Sequence, residues 1–411
     1  MSGIFWADSK SKTGWNYQQL DQEIRALQSL PTILQEHNNF RLWSILLRSI
    51  LQEHSITLVD ASAAPTEEPL NLNGTQEQGL KLADPGRSLA DLNAGWRPNR
   101  WSLSLHTSGT TGRPKKVSHS LETITKAVKA EIHHRDDVWA FCYHPTHFAG
   151  LQVFFQALIN QNPMIYLFDE EPTAAWHAIN DFKVTRISAT PTFYRRLLTG
   201  VPRVSETVKS VAMGGERFDP RLERQLSGFF PNARFRNIYA STEAGSLFSS
   251  NGDTWRIPED LTKFVKTSPD GELLLHRDIL ASFEWNQNSG DTDWYRTGDL
   301  VEIFGPDEFR IVGRLVEQIN VGGFKVNPHE VETEIRSVAG VVDCRVFGRS
   351  NSVVGNIVCV DVVSESSVDT KSIELLIRTR LGKVFQPWQI PRVFRFVEHL
   401  ESSKSGKVKR L

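Results

Sequence analysis

Apolar side chains recur at helical spacing through FRLWSILLRSILQE, residues 40–53, a pattern that predicts a helix. The ITLVDAS run behind it is short, apolar and closed by turn formers, so it reads as a buried strand completing one αβ unit. Residues 61–100 carry Pro, Gly, Asn, Asp and Glu without a sustained period and read as a long surface connection. WSLSLH resumes as a strand. Beyond it the strand-like runs AFCYH, MIYLF, RISAT, SVAMGG and FRNIYA alternate with the amphipathic stretches LQVFFQALIN, PTFYRRLLTG and PRLERQLSGFF. Such alternation predicts a layered α/β body with mostly parallel strands. After Gly271 the segments GELLLHRD, DLVEIFG and EFRIVGR read as hairpins that add a β region. From about residue 315 strand and helix patterns alternate again, over a length that suits a small α+β domain.

The chain has 411 residues, beyond what one hydrophobic core usually serves, so two domains are expected. At 39% hydrophobic and 23% charged residues it has the composition of an ordinary globular protein. A formal net charge of -1 removes the broad field that non-specific nucleic-acid or membrane binding needs, so no nucleic-acid partner is expected and any anion site must be local. Cys142, Cys344 and Cys359 are widely spaced and form no CxxC pair, which disfavours a disulfide framework and a zinc ribbon and points to a reducing, cytoplasmic location. The N-terminus does not follow a secretory pattern and no apolar run is long enough to span a membrane, so no membrane span is expected.

HTSGTTGRPKK, residues 106–116, follows a strand and is hard to place in an apolar core. Gly109 and Gly112 permit close backbone approach, and Thr107, Ser108, Thr110 and Thr111 supply hydroxyls, all attributes of a phosphate cradle. A plain turn has the same composition. The stretch does not fit the Walker pattern, which disfavours a P-loop NTPase.

Four further segments stand in order behind it: YASTEAG at 239–245, YRTGDL at 295–300, GRLVEQINVGGFKVNPHEVE at 313–332 and SGKVKR at 405–410. Together the five resemble the signature motifs of the adenylate-forming superfamily of acyl-CoA synthetases, carrier-loading adenylation domains and beetle luciferases. The resemblance implies a large layered N-terminal adenylate-forming domain, residues 1–314, and a small mobile α+β C-terminal domain, residues 315–411. It implies that a carboxylate is joined to the α-phosphate of ATP and that the acyl group then passes to a thiol, either CoA or a carrier-protein phosphopantetheine. The compact layout is similar to that of o-succinylbenzoate-CoA ligases.

By the same resemblance Thr107, Ser108, Gly109, Thr110, Thr111, Gly112 and Lys115 hold the β and γ phosphates. Gly214, Gly215 and Glu216 form the strip beside adenine, and Tyr239 stacks on it. Thr242 contacts the α-phosphate, and Glu243 holds Mg²⁺, a hard cation that takes oxygen ligands. Asp299 accepts the ribose hydroxyls, with Arg314 as a second ribose or phosphate contact. Lys407 bridges the carboxylate and the α-phosphate, and Gly322, Gly323 and Lys325 line the thiol's passage after the small domain turns. An aspartate that pairs with an amino-acid ammonium in some relatives has no counterpart in YHPTHFAGLQ. His147, Phe148, Gly150, Met213 and Ala240 suggest a compact pocket for an aryl or short acyl carboxylate, with His147 also near the reacting groups.

The chain departs from the pattern at Ala240, where relatives have glycine, and at Val316, where a polar hinge residue is usual. These departures leave open a non-catalytic nucleotide-binding homologue, and an adenylating enzyme with a non-thiol acceptor is a further alternative. Because no modifiable carrier domain follows Lys407, any carrier protein is expected to act in trans.

Overall fold

The structure is a computed structural model describing residues 4–8, 13–60, 88–95, 98, 100–107, 115–283, 293–352, 354–365 and 368–401. Helix Asn39–Leu51 occupies the first stretch read as helical, starting at an Asn38 cap whose side chain accepts from the Arg41 amide. Every residue from Leu42 to Leu51 is buried, as expected of a helix covered on all sides. Its residues share a core with Phe5, Trp6, Leu103, Phe141 and Phe154, which come from two different sheets and a neighbouring helix.

The first sheet has eight strands, in the order Gly245–Ser250, Arg234–Ser241, Ser210–Gly214, Arg186–Ala189, Trp139–Phe141, Met164–Tyr166, Ile4–Asp8 and Thr13–Asn16. Its interior pairs run parallel and its two outermost pairs antiparallel. All five strand-like runs expected between residues 140 and 240 lie in its parallel stretch. Successive residues alternate between its faces: Phe141 and Tyr143 join the core of helix Asn39–Leu51, while Ala140 and Cys142 join a second core under helices Pro172–Asp181, Pro191–Leu198 and Pro220–Ser227. Each of those three helices carries proline in its first turn, where the missing N–H costs nothing.

A second sheet, in the order Ser282–Phe283, Lys115–Ser120, Ser102–Thr107, Ile56–Leu58 and Ile33–Leu34, is mixed. ITLVDAS and WSLSLH contribute to this sheet, not to the larger one. A third, built from Thr254–Arg256, Glu308–Arg314, Trp294–Ile303, Glu272–His276 and Val265–Thr267, is antiparallel throughout and contains the expected hairpins. Within the stretch read as a surface connection, the described residues include a short helix, Leu89–Asn93, with a capping box from Ser88 to Asp91. The hairpin Ile4–Asp8 with Thr13–Asn16 and helix Tyr17–Ala26 were not read from the sequence.

The fourth sheet joins Phe324–Val326, Ile319–Val321, Gly355–Ser364 and Val341–Asn351, with Val393–Phe396 pairing to Gly355–Ser364. Helices Pro328–Ile335 and Thr370–Leu381 give it a core of its own, including Val331, Ile335, Val346, Val360, Ile373 and Ile377. Polar contacts join this part to the rest. Arg221 Nη1 donates to the Thr333 carbonyl at 3.4 Å, and Arg195 Nε lies 3.9 Å from Asp343 Oδ1.

Candidate active site

Asp299 sits mid-strand opposite Arg314 on the neighbouring strand and is only 5% exposed. Its two carboxylate oxygens are divided between two donors, Arg314 Nε at 2.9 Å and the Tyr239 hydroxyl at 2.8 Å. A carboxylate so deep needs such partners. The Asp299 charge raises the Arg314 pKa, so the guanidinium stays charged. Burial first, and then Asp299, raise that of Tyr239, so its phenol remains a donor. The strand is distorted just before Asp299 at Gly298, at φ 78°, where any side chain would be strained. The Gly298 amide donates to Glu272 Oε1 at 2.7 Å, and Glu272, almost fully buried, also pairs with Arg296.

Tyr239 is 8% exposed. Its ring lies parallel to Phe248 at 5.6 Å and edge-on to Trp255 at 6.3 Å. The structure therefore gives it a packing and hydrogen-bonding role that the stacking expectation did not contain.

Glu243 follows within the turn that ends strand Arg234–Ser241, its carbonyl accepting from the Ala281 amide at 2.7 Å. Its carboxylate interacts with the Tyr295 hydroxyl. Burial, then the Glu243 charge, raise the Tyr295 pKa. Lys115 Nζ stands 5.7 Å from the centre of the same ring, so Tyr295 links a cation and an acid that lie far apart in sequence. It opens the YRTGDL segment and was not singled out there; only spatial proximity reveals its part. Thr107 pairs with Lys115 across two adjacent strands, which brings the two ends of the 108–114 stretch together. Ser108, Gly109, Thr110, Thr111 and Gly112 lie outside the described residues.

On the acyl side, His147 is the cap of helix Phe148–Asn160, its ring 5.3 Å from that of His144. A Cβ at Gly150 would stand 2.6 Å from the His144 carbonyl oxygen, so glycine is what lets the helix approach this closely. Phe148 is buried against His119, with ring centres 5.3 Å apart. Ala240 pairs with Ser246. Met213 is not brought to this group: at 1% exposure it packs with Ile187, Ala189 and Leu222 in the core on the opposite face of the large sheet. Burial on that face is what the strand's alternation dictates.

Gly214 stays close to the site, since a Cβ there would lie 3.9 Å from the Tyr143 hydroxyl. Gly215 turns the chain at φ 79°. Glu216 accepts from the Thr192 amide at 2.8 Å and from its hydroxyl at 2.9 Å, an anchoring role at the start of helix Pro191–Leu198.

Gly322 and Gly323, at φ 58° and 91°, form the tip of the hairpin Ile319–Val321 with Phe324–Val326. The Gly323 amide donates to Asn320 Oδ1 at 3.0 Å. Lys325 is exposed on that hairpin, and Phe324 stacks on Trp388 at 4.5 Å. Val316 is 48% exposed. Lys407 lies outside the described residues. Glu243 offers a hard oxygen donor beside the Thr242 hydroxyl, a set that fits Mg²⁺, which keeps several waters and substrate phosphates among its ligands.

The family model described as AMP-binding enzyme matches residues 42–268, and that for the AMP-binding enzyme C-terminal domain matches residues 330–407. The chain belongs to the AMP-binding enzyme family. It is 23% identical over 348 residues to bacitracin synthase 3 of Bacillus licheniformis and 26% identical over 358 residues to the phenyloxazoline synthase MbtB of Mycobacterium tuberculosis. It spans only 5% and 24% of those two proteins, respectively, and 74% and 76% of its own length is covered. With the 4-hydroxybenzoate–CoA/benzoate–CoA ligase of Rhodopseudomonas palustris it shares 25% identity over 87% of this chain and 70% of the relative. ATP-bound MatB from Rhodopseudomonas palustris has the same fold, with a TM-score of 0.73 at 20% identity over 98% of this chain and 94% of that one. So does the o-succinylbenzoate CoA synthetase MenE from Bacillus subtilis with its acyl-adenylate intermediate, at 0.71 and 17% identity over 99% and 94%. A large N-terminal AMP-binding domain followed by a C-terminal domain is thus the architecture of this chain.

Proposed function

We propose that this protein activates a small carboxylic acid with ATP, forming an acyl adenylate and pyrophosphate, and transfers the acyl group to the thiol of CoA or of a carrier protein. The observation that carries the reading is the convergence of Asp299, Arg314 and Tyr239 beside a second group made of Glu243, Tyr295 and Lys115. The first arrangement offers a buried, oriented carboxylate of the kind that receives ribose hydroxyls. The second offers an acid for a metal ion and a cation for phosphates, which is what a transfer between two anions demands. Relatives named as CoA ligases and ATP-bound solved neighbours support it.

In this scheme Asp299 and Arg314 fix the ribose, so that the α-phosphate is presented to Thr242 and Glu243. Mg²⁺ held by Glu243 supplies charge neutralisation at the phosphates when bound. The glycine-rich 108–112 segment and Lys115 take the leaving pyrophosphate. His147 and Phe148, at the start of their helix, border the acid, and Ala240 adds a methyl that narrows its pocket. Lys407 provides the positive charge between the carboxylate and the α-phosphate, then gives way to Gly322, Gly323 and Lys325 for the thiol. That exchange requires residues 315–411 to move as one domain against residues 1–314. A cytoplasmic location suits a reaction that consumes ATP, and among the described residues no helix is long and apolar enough to cross a membrane.

The test is acid-dependent pyrophosphate release across a panel of aryl, short acyl and amino acids, followed by product analysis with CoA and with a carrier protein. Lys407→Ala is expected to lower the rate of adenylate formation about 10²-fold while ATP still binds, as loss of one preorganised charge does. Wild-type rates in that variant, or pyrophosphate release indifferent to every acid, would reject the reading.

A further inference from the structure

Strand Lys115–Ser120 buries Val117 and His119 and turns their neighbours outward. His119 is 2% exposed, yet neither ring nitrogen has a hydrogen-bond partner of normal geometry among the described residues. Burial lowers its pKa to about 4, outweighing the Thr242 backbone, which favours a proton on the ring. A ring buried this deeply is disfavoured as a cation, so the imidazole is an acceptor as well as a donor. With one nitrogen turned toward the Thr242 backbone, the other keeps a lone pair that has no partner among the described residues. Buried polar atoms left in that condition are few in native proteins, and each calls for a reason.

The surroundings supply one. The ring faces Phe148, the first residue of the helix that His147 caps. A Cβ at Gly245 would sit 3.8 Å from the far end of the Phe148 ring, in ordinary van der Waals contact with it. Thr242, Glu243 and Gly245 all belong to the YASTEAG segment that the adenylation reading places at the nucleotide. His119 thus lies behind the reacting centre, on the side where the body of the acid must go if the adenylation reading holds, and the inference rests on that reading.

We infer that His119 forms a polar subsite in the acyl pocket and accepts a hydrogen bond from a hydroxyl or neutral amine on the acid, which makes hydroxylated or amino-substituted aryl and short acyl acids the substrate class. A second carboxylate is disfavoured there, because it brings only lone pairs and charge to an uncharged acceptor. A plain hydrocarbon acid leaves the nitrogen unpaired, and sites built to bind a hydroxyl discriminate strongly against analogues without one.

The experiment compares kcat/KM for pyrophosphate release on matched acids: benzoate against its hydroxy and amino derivatives and phthalate, and butyrate against its hydroxy derivatives and succinate. The wild type should favour at least one hydroxylated or amino-substituted acid over its plain counterpart by about tenfold or more, and both dicarboxylates should fall below it. In His119→Leu that preference should vanish through a raised KM for the substituted acid, with the plain acid changed by about twofold or less. His119→Gln keeps an acceptor and should restore part of the preference. Equal wild-type turnover of substituted and plain acids, preference for a dicarboxylate, or an equal loss on both acids in His119→Leu would each overturn the inference while leaving adenylation intact. If no acid elicits pyrophosphate, the adenylation reading fails first and this one with it. Should His119→Leu not fold, the wild-type ratios and the Gln variant decide.

Discussion

A neutral histidine this deep makes stability depend on acid. The ordinary imidazole in the unfolded chain gains its proton near pH 6.5, whereas in the folded protein the His119 pKa is held down to about 4. Between those values the unfolded state binds more protons, so stability falls as the pH is lowered through that window. The full effect approaches roughly 3 kcal/mol below pH 4. Urea unfolding at pH 7 and pH 4.5 should show a smaller loss of midpoint in His119→Gln than in the wild type; parallel losses would assign the acid sensitivity elsewhere. His119 was not read as a site residue because a lone histidine in KKVSHS carries no motif of its own. The alternation was nevertheless there to be used, since Val117 fixes the inward face and His119 is two residues further on. Tyr295 had no such signal, because what defines it is contact with Lys115 and Glu243, each remote in the chain.

In the proposed scheme helix Phe148–Asn160 borders the acid, and its seating depends on Gly150. Its missing side chain lets the His144 carbonyl come within what would be 2.6 Å of a Cβ. Backbone cannot yield as a flexible side chain does, so Gly150→Ala should cost about 1–3 kcal/mol and displace His147 and Phe148 together. The expected readout is a lower melting temperature and a raised KM for the acid with the KM for ATP unchanged; an unperturbed acid KM would contradict this. At this scale much was legible. The five strands from AFCYH to FRNIYA and the hairpins after Gly271 have the apolar runs, alternation and turn residues that define strands, and they fold accordingly. The opening hairpin was missed because IFWAD and TGWN are too short to show a period. The first strand is held by Trp6 packing against Trp43, 6.2 Å between ring centres, and by pairing with Met164–Tyr166, and the second by pairing with the first. Sheet membership was equally hidden, since ITLVDAS and WSLSLH resemble the parallel strands in pattern and differ only in their partners.

Across the whole molecule, the C-terminal core is joined to the large part through charge. Burial pushes the Asp219 pKa up, but Arg195 and Arg336 outweigh it, and the net shift is downward. Asp219 belongs to the large part and Arg336 to the C-terminal one, so the carboxylate attracts across the junction. Asp219 also caps helix Pro220–Ser227 by accepting from the Arg221 amide at 3.0 Å, and asparagine preserves that cap. Asp219→Asn should therefore leave the large core intact while loosening the C-terminal part. Limited proteolysis around residues 314–318 should run several-fold faster, about the change expected for losing one partly buried charge contact; unchanged cleavage would show that the junction does not depend on it.

Arg314 grips Asp299 at the end of its strand, and the 3₁₀ turn Leu315–Glu317 begins at the next residue. If residues 315–411 swing as proposed, torque at that joint is felt by the sugar clamp. Occupancy of the clamp and the bearing of the swinging part then become two sides of one equilibrium: whatever nucleotide does to the angle, the angle must do to nucleotide affinity by the same factor. Release of AMP would on this basis be tied to the return stroke, without any dedicated exit device.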